Sequence, residues 1–120
     1  MSLSFLLSII TLMFKRAFKK DANFKKFLAG YDCALVIKTR DGKHGRRFIF
    51  KDGELSTDSE LDKYDAAMIW CDSLTAFKYL AKGEEGTLEA LRRHLVGIDG
   101  KMHSFQWFSC AINYVMGKTK

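Results

Sequence analysis

The three histidines and the acidic residues of segment 58–62 are the side chains whose types suit catalysis or metal binding. His44 lies in a glycine-bounded turn, and His94 and His103 lie near predicted helix ends. Their spacing matches no zinc motif. The acidic residues of 58–62 alternate as in a calcium loop, but the glycine and the distal glutamate of such a loop are missing. We therefore expect no metal, no cofactor and no enzymatic activity.

Two glycine-containing segments bear on anion binding. Segment 42–47, Gly-Lys-His-Gly-Arg-Arg, can contact an anion or form an ordinary solvated basic turn, and both interpretations stay open. Segment 83–86, Gly-Glu-Glu-Gly, is not a phosphate loop, because its acidic side chains would repel phosphate.

The cysteines bear on the redox compartment. Cys33, Cys71 and Cys110 lie far apart, and their odd number leaves one without a disulfide partner. The first two fall in predicted apolar strands and the third in an apolar helix. We expect three reduced, buried thiols, and hence a cytoplasmic protein.

Size and charge limit the class of protein. A chain of 120 residues with 48% hydrophobic residues is long enough to form one domain with a packed core. Of the net charge of +6, the segment 15–26 carries +5, because it contains six basic residues and one aspartate. A nucleic-acid-binding domain usually spreads its basic residues over a working face. We therefore expect no nucleic-acid partner.

The N-terminal arm, residues 1–23, begins with the apolar run 3–14. A helix over this run is about 18 Å long, too short for the ~30 Å hydrocarbon core of a bilayer. It also lacks the charge pattern and cleavage site of a secretory signal. Ser4, Ser8 and Thr11 form one weakly polar stripe on an otherwise apolar helix.

The arm continues as a basic amphipathic helix, in which Lys15, Arg16, Lys19 and Lys20 occupy the side opposite the apolar residues. This pattern suits contact with an anionic membrane surface through those four side chains. The other interpretation is a helix that packs on its own domain or on a second subunit, with the lysines solvated.

The rest of the chain predicts an α+β fold, a twisted and mostly antiparallel sheet of about five strands covered on one side by helices. Strand alternation, turn residues and helix caps mark the elements. Strands are predicted at 31–39, 46–51, 54–57, 66–71 and 95–98, and helices at 74–82, 88–93 and 101–116. Asp72 or Ser73 is expected to cap the first of these helices, Gly83 to end it, and Thr87 to cap the second.

The order and spacing of these elements resemble the sterol carrier protein 2 (SCP-2) lipid-transfer family. The resemblance depends on segment 48–55 with its Asp-Gly turn, the apolar strand 65–69, the Leu-rich helix 73–83, and the last strand 95–100 closed by glycine. It covers about residues 24–116. Together with the composition of the two ends, it predicts three parts: the arm 1–23, an SCP-2-like lipid-binding domain over 24–117, and a basic tail at 118–120.

The apolar residues of facing elements are the candidate ligand-binding residues: Phe48, Phe50, Ile69, Phe77, Leu80, Phe105, Phe108 and Ile112. Pattern alone favours a filled core. The resemblance implies instead an apolar tunnel between sheet and helices, closed by the C-terminal helix, that holds a fatty acyl, sterol-like or isoprenoid chain. The sequence departs from the family at segment 92–95 and in the bulky rings near residue 107, which would fill part of a tunnel.

The resulting expectation is non-catalytic binding or transfer of a hydrophobic lipid by a cytoplasmic protein that is peripheral at a membrane. The alternative is a protein interaction module with a filled core. In that case the apolar N-terminal helix docks into a partner or a second copy of the chain.

Overall fold

The computed structural model describes residues 3–82 and 84–117, with five helices and five strands in that part of the chain. The N-terminal half contains α1 (Leu3–Lys20), α2 (Ala22–Ala29), β1 (Cys33–Thr39), β2 (Gly45–Lys51) and β3 (Glu54–Asp58). The C-terminal half contains β4 (Ala66–Trp70), α3 (Ser73–Leu80), α4 (Glu84–Arg92), β5 (Val96–Gly100) and α5 (Met102–Gly117). The helix predicted to run to residue 82 is shorter, because α3 ends at Leu80 with Ala81 as its C-cap. Gly83, its predicted stop, and the tail 118–120 lie outside the described residues.

The strands form one sheet in the order β3-β2-β1-β4-β5. Neighbouring strands are antiparallel except β1 and β4, which are parallel. The tight turn between β2 and β3 is the predicted Asp-Gly hairpin, in which Asp52 has φ 54° and Gly53 has φ 77°. The predicted α+β class, with a mostly antiparallel five-stranded sheet, is confirmed.

One face of the sheet, which we call the inner face, packs against helices. Leu35 and Ile37 of β1, Phe48 and Phe50 of β2, and Met68 of β4 lie on it and belong to a single hydrophobic core. Strand alternation places the intervening residues on the outer face. The segment between β3 and β4 runs across that outer face: the Lys38 Nζ atom donates to Leu61 O at 3.2 Å and lies over the Tyr64 ring.

Two helices share the inner face. α1 contacts β2 and β3, whereas α5 contacts β1, β4 and β5. The division of the chain at residue 23 stays a prediction. In the structure, however, α1 supplies Leu3, Leu7, Ile10 and Phe14 to the same core as the sheet. The apolar run 3–14 therefore packs on its own domain.

Helix starts and stops follow local chemistry. The run 3–14 and the basic segment after it form one helix, which ends where the Asp21 carboxylate accepts hydrogen bonds from Asn23 N and Phe24 N and starts α2. Asp72 is the N-cap of α3, because its carboxylate accepts from Thr75 N at 2.7 Å.

The start of α4 differs from the prediction. Thr87 was expected to be its N-cap, but the helix begins at Glu84, and Thr87 lies inside it with only 9% of its surface exposed. Gly86 is buried where α4 passes α3, and a Cβ atom there would lie 2.0 Å from Tyr79 O. Only glycine permits this close approach.

The cysteines only partly match the expectation of three buried thiols. All three are free, and Cys33 is buried, Cys71 is half-buried and Cys110 is exposed on α5. Cys110 lies on the solvent side because Phe108, Ala111 and Ile112 take the buried positions around it. Burial raises the pKa of the Cys33 thiol to about 12, with smaller contributions from Asp65 and Asp32.

Candidate functional site

Most of the predicted ligand-binding residues meet in the layer between the inner face and the helices. Five are buried in the core: Phe48, Phe50, Leu80, Phe108 and Ile112. Phe77 and Phe105 are half-buried and pack against that core. The sequence therefore brings seven of the eight residues to one region, although their role in ligand binding stays a prediction.

Ile69 is the exception in this set. Along β4, Ala66, Met68 and Trp70 belong to the core, so alternation places Ile69 on the outer face of the sheet. It pairs with Lys38 of β1 in the parallel ladder. The expectation that Ile69 faces the helices was wrong. The whole strand is apolar, so its sequence does not show which residues lie on the inner face and which on the outer face.

Phe14 of α1 is the centre of the aromatic packing in this layer, and sequence reasoning did not select it. Its ring centroid lies 6.2 Å from that of Phe48 and 5.7 Å from that of Phe50 on the sheet. It also lies 6.2 Å from Phe108 of α5 and 5.9 Å from Phe24 of α2. Phe14 is 0% exposed. The spacing of Leu3, Leu7, Ile10 and Phe14 was the available signal for this buried helix face.

Tryptophans lie at two places in the same region. The Trp107 ring packs edge-on against Phe50, with centroids 4.9 Å apart, and stacks on Phe27 at 5.3 Å. Trp70 is fully buried, and its Nε1 atom is the one buried side-chain nitrogen or oxygen that lacks a hydrogen-bond partner within the described part of the chain.

Arg46 is a polar residue in line with the apolar wall. It lies on β2 two residues before Phe48, on the same inner face, and is half-buried. Its Nη1 atom donates to Thr11 Oγ1 and its Nη2 atom donates to Ser8 Oγ, both at 3.1 Å. Thr11 Oγ1 itself donates to Leu7 O at 2.8 Å. Two members of the polar stripe predicted on α1, Ser8 and Thr11, therefore face Arg46.

The next residue, Arg47, faces the other way. Its Nη2 atom lies 2.6 Å from Asp58 Oδ2 in an ion pair, and Nη1 donates to Lys63 O. Hydrogen bonding and charge from Arg47 hold the pKa of Asp58 below its usual value. Segment 42–47 is thus more than a solvated turn. Arg46 donates hydrogen bonds to α1, and Arg47 forms an ion pair with Asp58.

The outward side of α1 is apolar in its first turns. Phe5 is 49% exposed, Ile9 is 37% exposed and Leu12 is 68% exposed. These residues follow the i, i+4, i+7 spacing of one helix face. We call them the outer apolar stripe.

The same side of α1 becomes basic towards its end. Lys15, Arg16, Lys19 and Lys20 are all exposed there, and in residues 3–82 and 84–117 no ion pair involves them. Together with Leu12, Ala17 and Val115 they line an open groove of about 1080 Å³. The four residues predicted to contact a membrane are therefore free to face an anionic surface, although nothing in the structure tests that contact.

Side chains that could ligate a metal do not cluster in the described ranges. No group of three or more histidine, cysteine, aspartate or glutamate side chains is placed to hold a metal ion in that part of the chain. The His103 ring packs edge-on against Tyr31, as an ordinary aromatic contact. Among the described helices, none combines the length and apolar character required to cross a bilayer.

Comparison with known proteins identifies the fold. No protein-family model and no curated protein matches the chain. An SCP-2-type ubiquinone synthesis protein, UbiJ, has a similar structure, with a TM-score of 0.63 and 13% identity over 91% of this chain and 88% of that chain. The sterol carrier protein domain 2 of Helicoverpa armigera matches with a TM-score of 0.62 and 14% identity over 92% of this chain and 87% of that chain.

A crystal structure of sterol carrier protein 2 is also similar, with a TM-score of 0.56 and 13% identity over 91% of this chain and 92% of that chain. At identities this low, the likeness establishes the fold. It confirms the resemblance predicted from the order of strands and helices.

Proposed function

We propose, from the premise that the chain has the sterol carrier protein 2 fold, that it binds one hydrophobic lipid without catalysing a reaction. The fatty acyl, sterol-like or isoprenoid chain of that lipid lies between the inner face and the helices. The observation that supports this proposal most directly is the chemistry of the two facing surfaces. Phe48 and Phe50 on the sheet meet Phe14 and Phe108 on the helices, so both surfaces suit an apolar ligand.

In the structure these surfaces touch each other, so a lipid has to separate α1 from β2. Burying each methylene contributes roughly 0.8 kcal/mol, and a chain of about ten methylenes therefore contributes ~8 kcal/mol. Parting Phe14 from its aromatic partners costs roughly 0.5–1.5 kcal/mol for each ring pair. The hydrocarbon chain of the lipid would itself cover the two protein surfaces that it separates. The remaining costs are therefore those of ordering the ligand and moving α1. On these magnitudes the buried methylenes offset the ring contacts that are lost.

Native mass spectrometry of the protein purified from cells tests this proposal. We expect one non-covalent hydrophobic adduct per chain, which organic extraction removes and added laurate or 1-dodecanol replaces. Protein that carries no adduct and takes up neither compound would contradict lipid binding.

We also propose that the protein works in the cytoplasm and contacts an anionic membrane through the outward side of α1. The outer apolar stripe would enter the headgroup region, and Lys15, Arg16, Lys19 and Lys20 would contact the lipid phosphates. The free state of the three cysteines agrees with a reducing compartment.

The second candidate is a protein interaction module, and the same exposed stripe favours it. Phe5, Ile9 and Leu12 together form an apolar surface suited to a second copy or another protein. Sedimentation velocity in the absence of lipid separates the candidates. A monomer at micromolar concentration agrees with the membrane role, whereas a dimer that Leu12→Ser disrupts would favour the interaction module.

A further inference from the structure

Arg46 has an unusual combination of position and partners. It is a half-buried arginine that takes part in no ion pair within the described ranges, and its guanidinium donates to two hydroxyl groups of α1. Moving a cation out of water without an opposite charge is costly. Arg47, one residue later, has such a charge in Asp58.

The geometry of the two hydroxyl partners is that of a substitute for an acid. Ser8 Oγ and Thr11 Oγ1 each accept from a different terminal nitrogen of the guanidinium, at 3.1 Å. When arginine binds a carboxylate or a phosphate, its two terminal nitrogens likewise each donate to a separate oxygen. A hydroxyl provides the oxygen without the negative charge.

The position of Arg46 connects this polar site to the apolar surface. Residues 46, 48 and 50 alternate along β2, so Arg46, Phe48 and Phe50 form one line on the inner face. Residues two apart in a strand are about 6.6 Å apart, so the line is about 13 Å long. It begins at a half-buried arginine and ends beside the Trp107 ring. A lipid lying along it would have its polar end at Arg46.

We infer that Arg46 binds the acidic head group, carboxylate or phosphate, of a lipid whose chain lies along Phe48 and Phe50. In the structure α1 takes both places: Ser8 and Thr11 contact Arg46, and Phe14 contacts the two rings. The inference rests on the proposed function and adds to it the chemical class of the ligand.

Calorimetry with four probes tests the inference. Laurate, monododecyl phosphate and 1-dodecanol share one chain and differ in the head group, and inorganic phosphate has no chain. Because hydrogen bonds to charged groups are stronger than those between neutral groups, we expect both acids to bind the wild-type chain about tenfold or more tightly than the alcohol. Inorganic phosphate alone should show no binding. Comparing laurate with monododecyl phosphate shows whether the site prefers a carboxylate, prefers a phosphate, or binds both equally.

Two variants of equal charge separate the site from the net charge. Arg46→Gln should remove the preference for acids, so that the affinities for laurate, monododecyl phosphate and 1-dodecanol lie within about twofold of one another. Arg47→Gln removes the same charge from the adjacent residue on the outer face and should keep the preference. Equal effects of the two variants, or a wild-type chain that binds 1-dodecanol as tightly as laurate, would overturn the head-group role and leave lipid binding intact. A wild-type chain that binds none of the three would overturn both.

A third variant keeps the test valid if Arg46→Gln does not fold. Ser8→Ala with Thr11→Val removes the oxygens that α1 offers to Arg46 but keeps the arginine. Laurate should then bind several-fold more tightly than it binds the wild-type chain, because its carboxylate no longer replaces existing hydrogen bonds. Weaker or unchanged laurate binding would contradict the inference.

Discussion

In the first turns of α1 the two sides of the helix are both apolar but have different environments. The inward side places Leu3, Leu7, Ile10 and Phe14 in the core, each 2% exposed or less. The outward side leaves Leu12 68% exposed on the same turns of the helix. Both sides are apolar, but among the described residues only those of the inward side are buried in the core.

This difference shows what a helix that is apolar on most sides can do in a small domain. The inward side completes the core, and the outward side stays exposed, where we propose contact with a lipid surface or a protein. From the sequence these were two competing interpretations of one segment. In the structure the packing interpretation accounts for one side, and the other side keeps the membrane and partner interpretations open.

The largest expected effect is the loss of the whole inward side. Deleting residues 1–14 removes five core side chains, and truncating each would cost roughly 2–5 kcal/mol. Domain stabilities are typically ~5–15 kcal/mol, so the truncated chain should not fold. Circular dichroism during thermal unfolding measures this, and a cooperative transition in the truncated chain would show that α1 is dispensable. From the sequence alone, with the arm considered separate, the same deletion would be expected to leave the fold intact.

A pair of single substitutions compares the two sides directly. Phe14→Ala should lower the free energy of unfolding by roughly 3–5 kcal/mol, because it leaves a cavity among four rings. Leu12→Ala, two residues away on the outward side, should change it by less than about 0.5 kcal/mol. Urea unfolding gives both values. Similar losses in the two variants would mean that the outward side is also packed in solution.

The third prediction concerns binding by the outward side. Each basic residue near an anionic membrane contributes about 1 kcal/mol, so replacing Lys15, Arg16 and Lys19 by Gln should weaken binding to anionic vesicles by about a hundredfold at low salt. Vesicle sedimentation measures this, with zwitterionic vesicles as the lipid control. A matched variant with Gln at Lys43, Lys63 and Lys78 loses the same charge elsewhere and should bind like the wild-type chain. Equal losses of vesicle binding in the two variants would show that binding depends on net charge and not on this side of α1.

Most of the fold could be predicted because its signals are local. Alternation, the Asp-Gly turn and the cap at Asp72 depend on residues close together in the sequence. The parallel pairing of β1 with β4 and the close approach at Gly86 depend on contacts between distant segments. No local pattern carries that information.

The candidate site was predictable in outline and not in its key residues. Phe48, Phe50 and Phe108 were accessible from strand and helix spacing, whereas Ile69 lies in a strand that is apolar on both faces. Arg46 appeared as part of a basic turn. Its alternation with Phe48 was visible in the sequence. Its hydrogen-bond partners Ser8 and Thr11 were not, because they are 38 and 35 residues away.

The packing of Trp107 against Phe50 gives the chain a built-in optical reporter. Indole emission changes with the polarity and mobility of its surroundings, and this indole stands where the line from Arg46 along β2 ends. Entry of an oily tail would therefore alter the emission without any added dye. With Trp70→Phe removing the other indole, a titration in a fluorimeter would follow occupancy directly.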